Sequence, residues 1–174
     1  MRRVTVGVLL AFGAVLFLSA CAGHHQHHRM HGSSARVEGS LASDIPIPWH
    51  SLAAGKELAR EEKKPMIVDF YAPEGCSRCD LMAKHVWGNP EIAQVVKDDF
   101  VLVRMDLLQN MTREEIELGR KYDYNYDCLL IFLDSHGEVI EDLSGNRMCF
   151  ADFIQPEWFI GYLNRAKEVN QARL

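Results

Sequence analysis

Two cysteines, Cys76 and Cys79, are separated by Ser77 and Arg78 and follow a short apolar run. If a helix begins at the first cysteine, this spacing brings the two sulfurs together across one turn. A thiol at a helix N-terminus ionises readily because unpaired backbone N–H groups stabilise the thiolate, and Arg78 adds positive charge nearby. Cys76 would then attack a disulfide and Cys79 would release the product. Two alternatives stay open for this motif: half of a zinc site and a structural disulfide.

The residues around the motif predict strands that alternate with helices. Residues 66–71 form an apolar run typical of a buried strand, and the motif follows this run through a short loop. Asn89 followed by Pro90, and the capping box that begins at Thr112, each mark a helix start. We predict strands over residues 66–71, 100–106, 128–134 and 138–143, and helices over residues 49–64, 76–87, 90–98, 112–122 and from 156 onward. Alternation of this kind implies parallel pairing, with a late hairpin at the edge.

The segment from Lys64 to Ala72, with the CxxC motif after it, resembles the strand and active-site turn of the thioredoxin superfamily. Residues 86–95 and 100–106 are most similar to the thioredoxin-like domains of bacterial periplasmic thiol:disulfide interchange proteins. The resemblance covers about residues 50–170. It implies an α/β, thioredoxin-like three-layer fold with a central four-stranded mixed sheet and helices on both faces. It also implies a thiol:disulfide oxidoreductase that requires no cofactor.

By this resemblance, Cys76 is the attacking thiol and Cys79 the resolving thiol. Asp69 matches the buried acid that helps to deprotonate the second cysteine. Burial raises the pKa of a carboxyl group, which suits a proton acceptor. The alternative for Asp69 is that its carboxylate only satisfies a local hydrogen bond.

The chain departs from the family pattern near the motif. Gly75 stands where the family usually has tryptophan, and Cys128 stands where it has a cis-proline. Gly145 matches a glycine that lines the same face in the family, and Cys149 follows four residues later. All four thiols would then gather at one end of the sheet. Three interpretations stay open: a second disulfide between Cys128 and Cys149, a four-thiolate site for zinc or an iron–sulfur cluster, and two small buried hydrophobic side chains.

The first twenty residues have the pattern of an export signal. Arg2 and Arg3 precede the apolar run 4–18, and small residues follow before Cys21. The sequence Leu-Ser-Ala-Cys that ends at Cys21 resembles the lipobox of bacterial lipoproteins, in which the cysteine is lipidated. An uncleaved membrane-spanning helix is the alternative. Lipidation of Cys21 places the protein in the bacterial cell envelope, facing the periplasm, and Ala22 favours the outer membrane. Lipidation of Cys21 also accounts for the odd number of cysteines, because four remain for the domain.

A tether over residues 21–48 separates the signal peptide, residues 1–20, from a thioredoxin-like domain, residues 49–174. The tether has few large apolar residues and reads as an exposed linker. It carries five histidines, which are His24, His25, His27, His28 and His31. A run of imidazoles can bind copper, nickel or zinc. The alternative is a solvated polar spacer.

The overall composition restricts the function further. The chain has 174 residues, 48% of them hydrophobic, and a formal net charge of −5. These values exclude a multi-span membrane protein, and the acidic charge excludes nucleic acid as the expected partner. We expect a lipid-anchored envelope protein that exchanges thiols and disulfides with other proteins. The competing hypotheses are a non-catalytic metal-binding protein or metallochaperone, which uses the four cysteines or the histidine tether, and an interaction module that has lost its activity.

Overall fold

Five strands form the sheet in the computed structural model, which describes residues 45–124 and 129–174. The strands are β1 (Trp49–His50), β2 (Met66–Tyr71), β3 (Val101–Asp106), β4 (Leu130–Leu133) and β5 (Cys149–Phe150). Their order across the sheet is β1-β3-β2-β4-β5. β3 runs parallel to β1 and β2, whereas β4 is antiparallel to both β2 and β5. The predicted mixed sheet, parallel at its centre with an antiparallel edge, is confirmed.

Five α-helices connect or follow these strands within the described residues. They are α1 (Leu52–Glu62), α2 (Ser77–Met82), α3 (Pro90–Asp99), α4 (Arg113–Tyr122) and α5 (Pro156–Ala172), and a π-helical segment, Ala83–Trp87, continues α2. The side chain of Asn89 caps α3, and Thr112 and Glu115 form the capping box of α4. Both predicted helix starts are therefore confirmed. A cap satisfies backbone N–H groups that have no partner within the helix, so the local sequence decides where these helices begin.

The strand β2 lies between two hydrophobic layers. On one face, Ile67 belongs to a core cluster with residues of α3 and α5, including Ile92 and Phe159. On the other face, Val68 belongs to a second cluster that includes Leu52 of α1. Because side chains alternate along a strand, Asp69 shares the face of Ile67, which α2, α3 and α5 cover. Helices on both faces of the sheet confirm the predicted three-layer arrangement.

Two predicted elements are wrong in their type or extent. Residues 49–50 form β1 rather than the start of a helix, because Trp49 pairs with β3 and Ser51 then caps α1. Residues 138–143 form no continuous strand and make only isolated bridges, such as Glu141 to Arg147. Here the Asp142 carboxylate accepts hydrogen bonds from the following turn instead. The sheet thus has five strands, with β5 further along the chain, rather than the four that were expected.

Several predictions concern residues outside the described ranges 45–124 and 129–174. They include the signal peptide, lipidation at Cys21, the histidine tether and every statement about Cys128. These predictions stay predictions. Among the residues that are described, no helix has the length and apolar character needed to cross a membrane.

Candidate active site

The CxxC motif lies at the turn from β2 into α2, as its spacing predicts. Cys76 is the N-cap of α2, and its Sγ accepts a hydrogen bond from the backbone N–H of Cys79 at 3.1 Å. The two cysteines form a disulfide, with their Cα atoms 5.2 Å apart. Gly75 precedes them with φ +72°, a left-handed conformation that costs glycine little. This glycine lets the chain leave the loop and enter the helix at Cys76.

The two sulfurs of the motif differ in their access to solvent. Cys76 is half-buried, and its neighbours Gly75 and Ser77 are exposed. Cys79 is only 5% exposed and belongs to the buried core. A partner protein can therefore reach Cys76 first, while Cys79 is protected behind it.

Asp69 lies within β2 and is 1% exposed. One of its oxygens, Oδ1, accepts hydrogen bonds from Nη1 and Nη2 of Arg78, at 3.3 and 3.1 Å. Burial raises the pKa of the Asp69 carboxyl above its ordinary value, and the guanidinium groups of Arg78 and Arg104 oppose this shift without cancelling it. Asp69 is thus connected to the CxxC motif through Arg78, a residue within the motif itself.

Arg104 also belongs to this site, and sequence reasoning missed it. It lies directly opposite Asp69 in the register of β2 and β3, and its Nη2 contacts Asp69 Oδ2 at 3.0 Å. Its guanidinium also covers the rings of Trp49 and Tyr71, at 3.7 and 4.3 Å from the ring centroids. The signal in the sequence was one charged residue in each of two apolar strands, Asp69 in β2 and Arg104 in β3, and it could have revealed this ion pair. We call Asp69, Arg78 and Arg104 the charged cluster.

Arg78 points inward rather than into solvent, and it joins three elements. Its side chain is 9% exposed, and its Nη2 donates to the backbone oxygen of Leu129 at 2.7 Å. The same oxygen accepts the backbone N–H of Phe70 in β2. Burial lowers the pKa of the Arg78 guanidinium, and the negative charges of Asp69 and Asp152 oppose that shift. Arg78 therefore connects α2 both to β2 and to the residue that precedes β4.

Two further residues that the sequence singled out, Cys149 and Gly145, lie in and before β5. Cys149 begins β5, is half-buried and is disulfide-bonded. The interpretation of Cys149 as a free hydrophobic side chain is therefore wrong. Gly145 lies in the turn before β5, with φ +81°, and its N–H donates to the oxygen of Asp142.

The described residues contain no group of three or more histidine, cysteine, aspartate or glutamate side chains that could hold a metal ion. Cys76, Cys79 and Cys149 are all disulfide-bonded, so their sulfurs are not free thiolate ligands in this oxidised form. The chemistry available at the described site is that of a reducible disulfide, connected through Arg78 to a buried carboxyl group.

Comparisons with known proteins agree with this geometry. The model of a family described as thioredoxin-like matches residues 48–135. The thiol:disulfide interchange protein DsbD of Vibrio vulnificus, in strains CMCP6 and YJ016, is 32% identical over 165 residues, which is 94% of this chain. The chain spans only 26% of the length of these two relatives.

Two solved structures have the same fold. The solution structure of a thioredoxin from Thermus thermophilus has a TM-score of 0.51 and 21% identity, over 68% of this chain and 85% of the thioredoxin. A DsbH oxidoreductase also has a TM-score of 0.51, with 17% identity over 86% of this chain and 96% of its own. At these identities the two structures establish the fold alone. The family model covers half of the sequence and includes the CxxC turn, so the chain belongs to the thioredoxin-like family.

Proposed function

We propose that this protein is a thiol:disulfide oxidoreductase that exchanges disulfides with other proteins through Cys76 and Cys79. One observation carries the proposal: the two cysteines form a disulfide at the N-cap of α2, with one sulfur accessible and the other buried. A disulfide that serves only for stability needs no accessible sulfur at a helix N-terminus. The two Vibrio vulnificus relatives are themselves named thiol:disulfide interchange proteins.

The exchange proceeds in two balanced steps. In the reduced protein, the Cys76 thiolate attacks one sulfur of a substrate disulfide, and the other substrate sulfur leaves as a thiolate that takes up a proton. This forms a mixed disulfide between Cys76 and the substrate. Cys79 then loses its proton and attacks Cys76 Sγ, which releases the second substrate thiol. The substrate gains two electrons, and the protein returns to the disulfide form.

Asp69 is the proposed proton acceptor for Cys79. Its carboxyl is buried and its pKa is raised, so it can take up a proton that a solvent-exposed aspartate would not retain. Arg78 and Arg104 hold both carboxylate oxygens, which fixes the orientation of the group. The proton that Cys79 loses then remains within the protein until solvent receives it.

We further propose that the chain works in the bacterial envelope, anchored to the outer membrane by a lipid on Cys21 and facing the periplasm. The lipobox-like sequence that ends at Cys21 supports this location. The oxidising environment outside the cytoplasm allows disulfides to persist. Metabolic labelling with palmitate tests the anchor: the wild-type chain should incorporate the label and Cys21→Ser should not.

A count of the five cysteines supports a second disulfide, between Cys128 and Cys149. Cys149 is disulfide-bonded, and Cys76 and Cys79 already pair with each other. Cys21 is assigned to the lipid, which leaves Cys128. Mass spectrometry of peptides from the non-reduced full chain should identify a fragment in which Cys128 and Cys149 are linked, whereas a link from Cys149 to Cys21 would contradict this pairing.

Insulin reduction by the full chain in detergent, with dithiothreitol as the electron source, tests the activity. We expect the wild-type protein to accelerate precipitation of the insulin B chain, and Cys76→Ser to abolish the acceleration. Cys79→Ser should still attack the substrate but should accumulate a mixed disulfide, visible on a non-reducing gel. Addition of a chelator should leave the wild-type rate unchanged, because the proposed reaction uses no metal.

The matched control is Cys21→Ser, which also removes one cysteine but leaves the CxxC motif intact. Its rate of insulin reduction should equal that of the wild-type chain. Undiminished activity of Cys76→Ser would overturn the proposed function.

A further inference from the structure

We propose that two copies of this chain form a symmetric dimer through the exposed face of α5. Each copy contributes the same surface, which we call the α5 patch and which consists of Leu143, Glu157, Trp158, Gly161, Tyr162 and Arg165. Its described lining includes no residue of the CxxC motif or of the charged cluster. The proposal therefore does not rest on the proposed exchange function.

The α5 patch contains the two most exposed large hydrophobic side chains among the described residues. Leu143 is 86% exposed and Trp158 is 69% exposed. Both line one groove between α5 and the turn before β5, with a volume of about 440 Å³. Hydrophobic side chains gathered on one exposed face mark interaction sites, and tryptophan is enriched at the centre of protein interfaces. The groove therefore favours an apolar occupant.

Trp158 borders two depressions on this surface. One is the groove, and the other is a smaller depression of about 280 Å³ whose lining includes Phe150, Phe153 and Ile154. Trp158 and Tyr162 line both depressions. The α5 patch thus presents an exposed aromatic ring next to an apolar groove. When the surface meets a second copy of itself, the ring of each copy enters the groove of the other.

The charges of the α5 patch leave groups of both signs available. Glu157 is exposed and makes no ion pair within the described ranges. Nε of Arg165 donates to the backbone oxygen of Glu141 at 3.1 Å, whereas its Nη1 lies 3.8 Å from Glu168, which is too long for a hydrogen bond. The carboxylate of Asp142 already accepts N–H groups of its own turn. The available groups are therefore one carboxylate, on Glu157, and the Nη donors of Arg165.

This pairing of signs favours a second copy over a different protein. A symmetric interface places one surface against itself, so that surface must carry both an acid and a base. A surface for a basic partner would carry acids alone, and a surface for an acidic partner would carry bases alone. The α5 patch carries one of each.

Glu157 and Arg165 are also placed symmetrically about Gly161. Each is four residues from Gly161, which is about 6 Å along a helix, and this spacing keeps all three on one face. When two copies of α5 run antiparallel and meet at Gly161, Glu157 of each copy faces Arg165 of the other, and two ion pairs form. Helices pack at interaxial distances of about 8–10 Å, which leave room for a small residue at the midpoint.

Charge reversal in the full chain, purified in a density-matched detergent, tests this arrangement by sedimentation equilibrium. We expect the wild-type chain to form a dimer. Glu157→Arg and Arg165→Glu each place like charges opposite one another, so each should raise the dissociation constant of the dimer by at least about tenfold. An equal mixture of these two variants should form a heterodimer with an affinity close to that of the wild-type chain, because both pairs then have opposite signs.

Trp158→Ala tests the apolar part of the interface and does not depend on the folding of the charge-reversed variants. It should raise the dissociation constant by at least about thirtyfold, because each dimer loses two buried aromatic anchors. Leu108→Ala is the matched control. Leu108 is also exposed, at 63%, but it lies in the loop after β3 and lines neither depression. Its replacement should leave the dissociation constant unchanged.

A wild-type chain that stays monomeric up to its solubility limit would overturn the proposal. The same holds for a dimer that tolerates Trp158→Ala, and for folded Glu157→Arg and Arg165→Glu chains that fail to pair with each other. A monomer that binds a different protein through Trp158 would assign the α5 patch to that partner and would also overturn the dimer.

Discussion

Replacement of Cys79 by serine leaves Cys76 as the only thiol of the motif and allows its ionisation to be followed alone. The backbone N–H at position 79 is kept, so the donor to Cys76 Sγ, at 3.1 Å in the disulfide form, remains available. A free cysteine has a pKa of about 8.5 and is about 3% thiolate at pH 7. A hydrogen bond to a charged acceptor contributes roughly 1.5–3 kcal/mol, which multiplies the ratio of thiolate to thiol by roughly 10 to 150.

From this stabilisation we expect roughly 30 to 80% of Cys76 to be thiolate at pH 7 in Cys79→Ser. Thiolate absorbance at 240 nm measures this fraction, after reduction and removal of the reductant. The double variant Cys76→Ser/Cys79→Ser supplies the baseline, because it retains every other cysteine. The reverse variant Cys76→Ser should show a smaller thiolate fraction, since Cys79 is buried and is not the N-cap.

A thiolate fraction near 3% in Cys79→Ser would refute the reasoning that the helix N-terminus activates Cys76. The same conclusion would follow if Cys79 in Cys76→Ser ionised more readily than Cys76 in Cys79→Ser. Either result would also remove the physical basis for assigning the attacking role to Cys76.

Three further predictions concern stability and metal binding. A Cβ on Gly55 would collide with a β3 side chain, so Gly55→Ala should lower the free energy of unfolding in urea by up to about 2 kcal/mol. A Cβ on Gly161 would meet open space among the described residues, so Gly161→Ala should raise that free energy by up to about 1 kcal/mol. Burial raises the pKa of Asp134, but hydrogen bonds from Arg173 and from backbone N–H groups outweigh it and hold that pKa below 3.8. The stability that Asp134 contributes is therefore present above pH 3.8 and is lost as the pH falls through the pKa of Asp134 in the folded protein. The melting temperature of Asp134→Asn should therefore depend less on pH in this range than that of the wild-type chain. Calorimetric titration of the full chain with nickel or copper should show binding that disappears when the five tether histidines are replaced by alanine, and equal binding by both chains would reject a metal-binding tether.

The core of the fold could be predicted because its signals are local. The apolar run of β2 is six residues long and lies between Pro65 and a loop with Pro73 and Gly75, which favours a buried strand over a helix without knowledge of its partners. Asn89 and Thr112 cap helices through bonds to residues two or three positions away. The position of Cys76 at a helix N-terminus followed from the same kind of information.

The edges of the sheet could not be predicted in this way. β1 and β5 have two residues each, which is too short for any periodicity. They are strands only because β3 and β4 offer them backbone partners. The alternation over residues 138–143 suggested a strand, but the backbone there makes only isolated bridges, and a turn whose N–H groups donate to the Asp142 carboxylate follows at once.

The sequence by itself determined the redox motif, the strand before it and the helix after it, because neighbouring residues specify caps, turns and burial. Only the tertiary structure decided the surroundings of that motif. Asp69 and Arg104 are 35 positions apart and meet through the register of β2 and β3, and Arg78 is 51 positions from the backbone oxygen that it contacts. An arginine beside an exposed turn is expected to face solvent, and this one is buried because Asp69 in β2 and the backbone oxygen of Leu129 supply its acceptors. Long-range pairing of charges depends on the packing of the whole sheet, which no local pattern encodes.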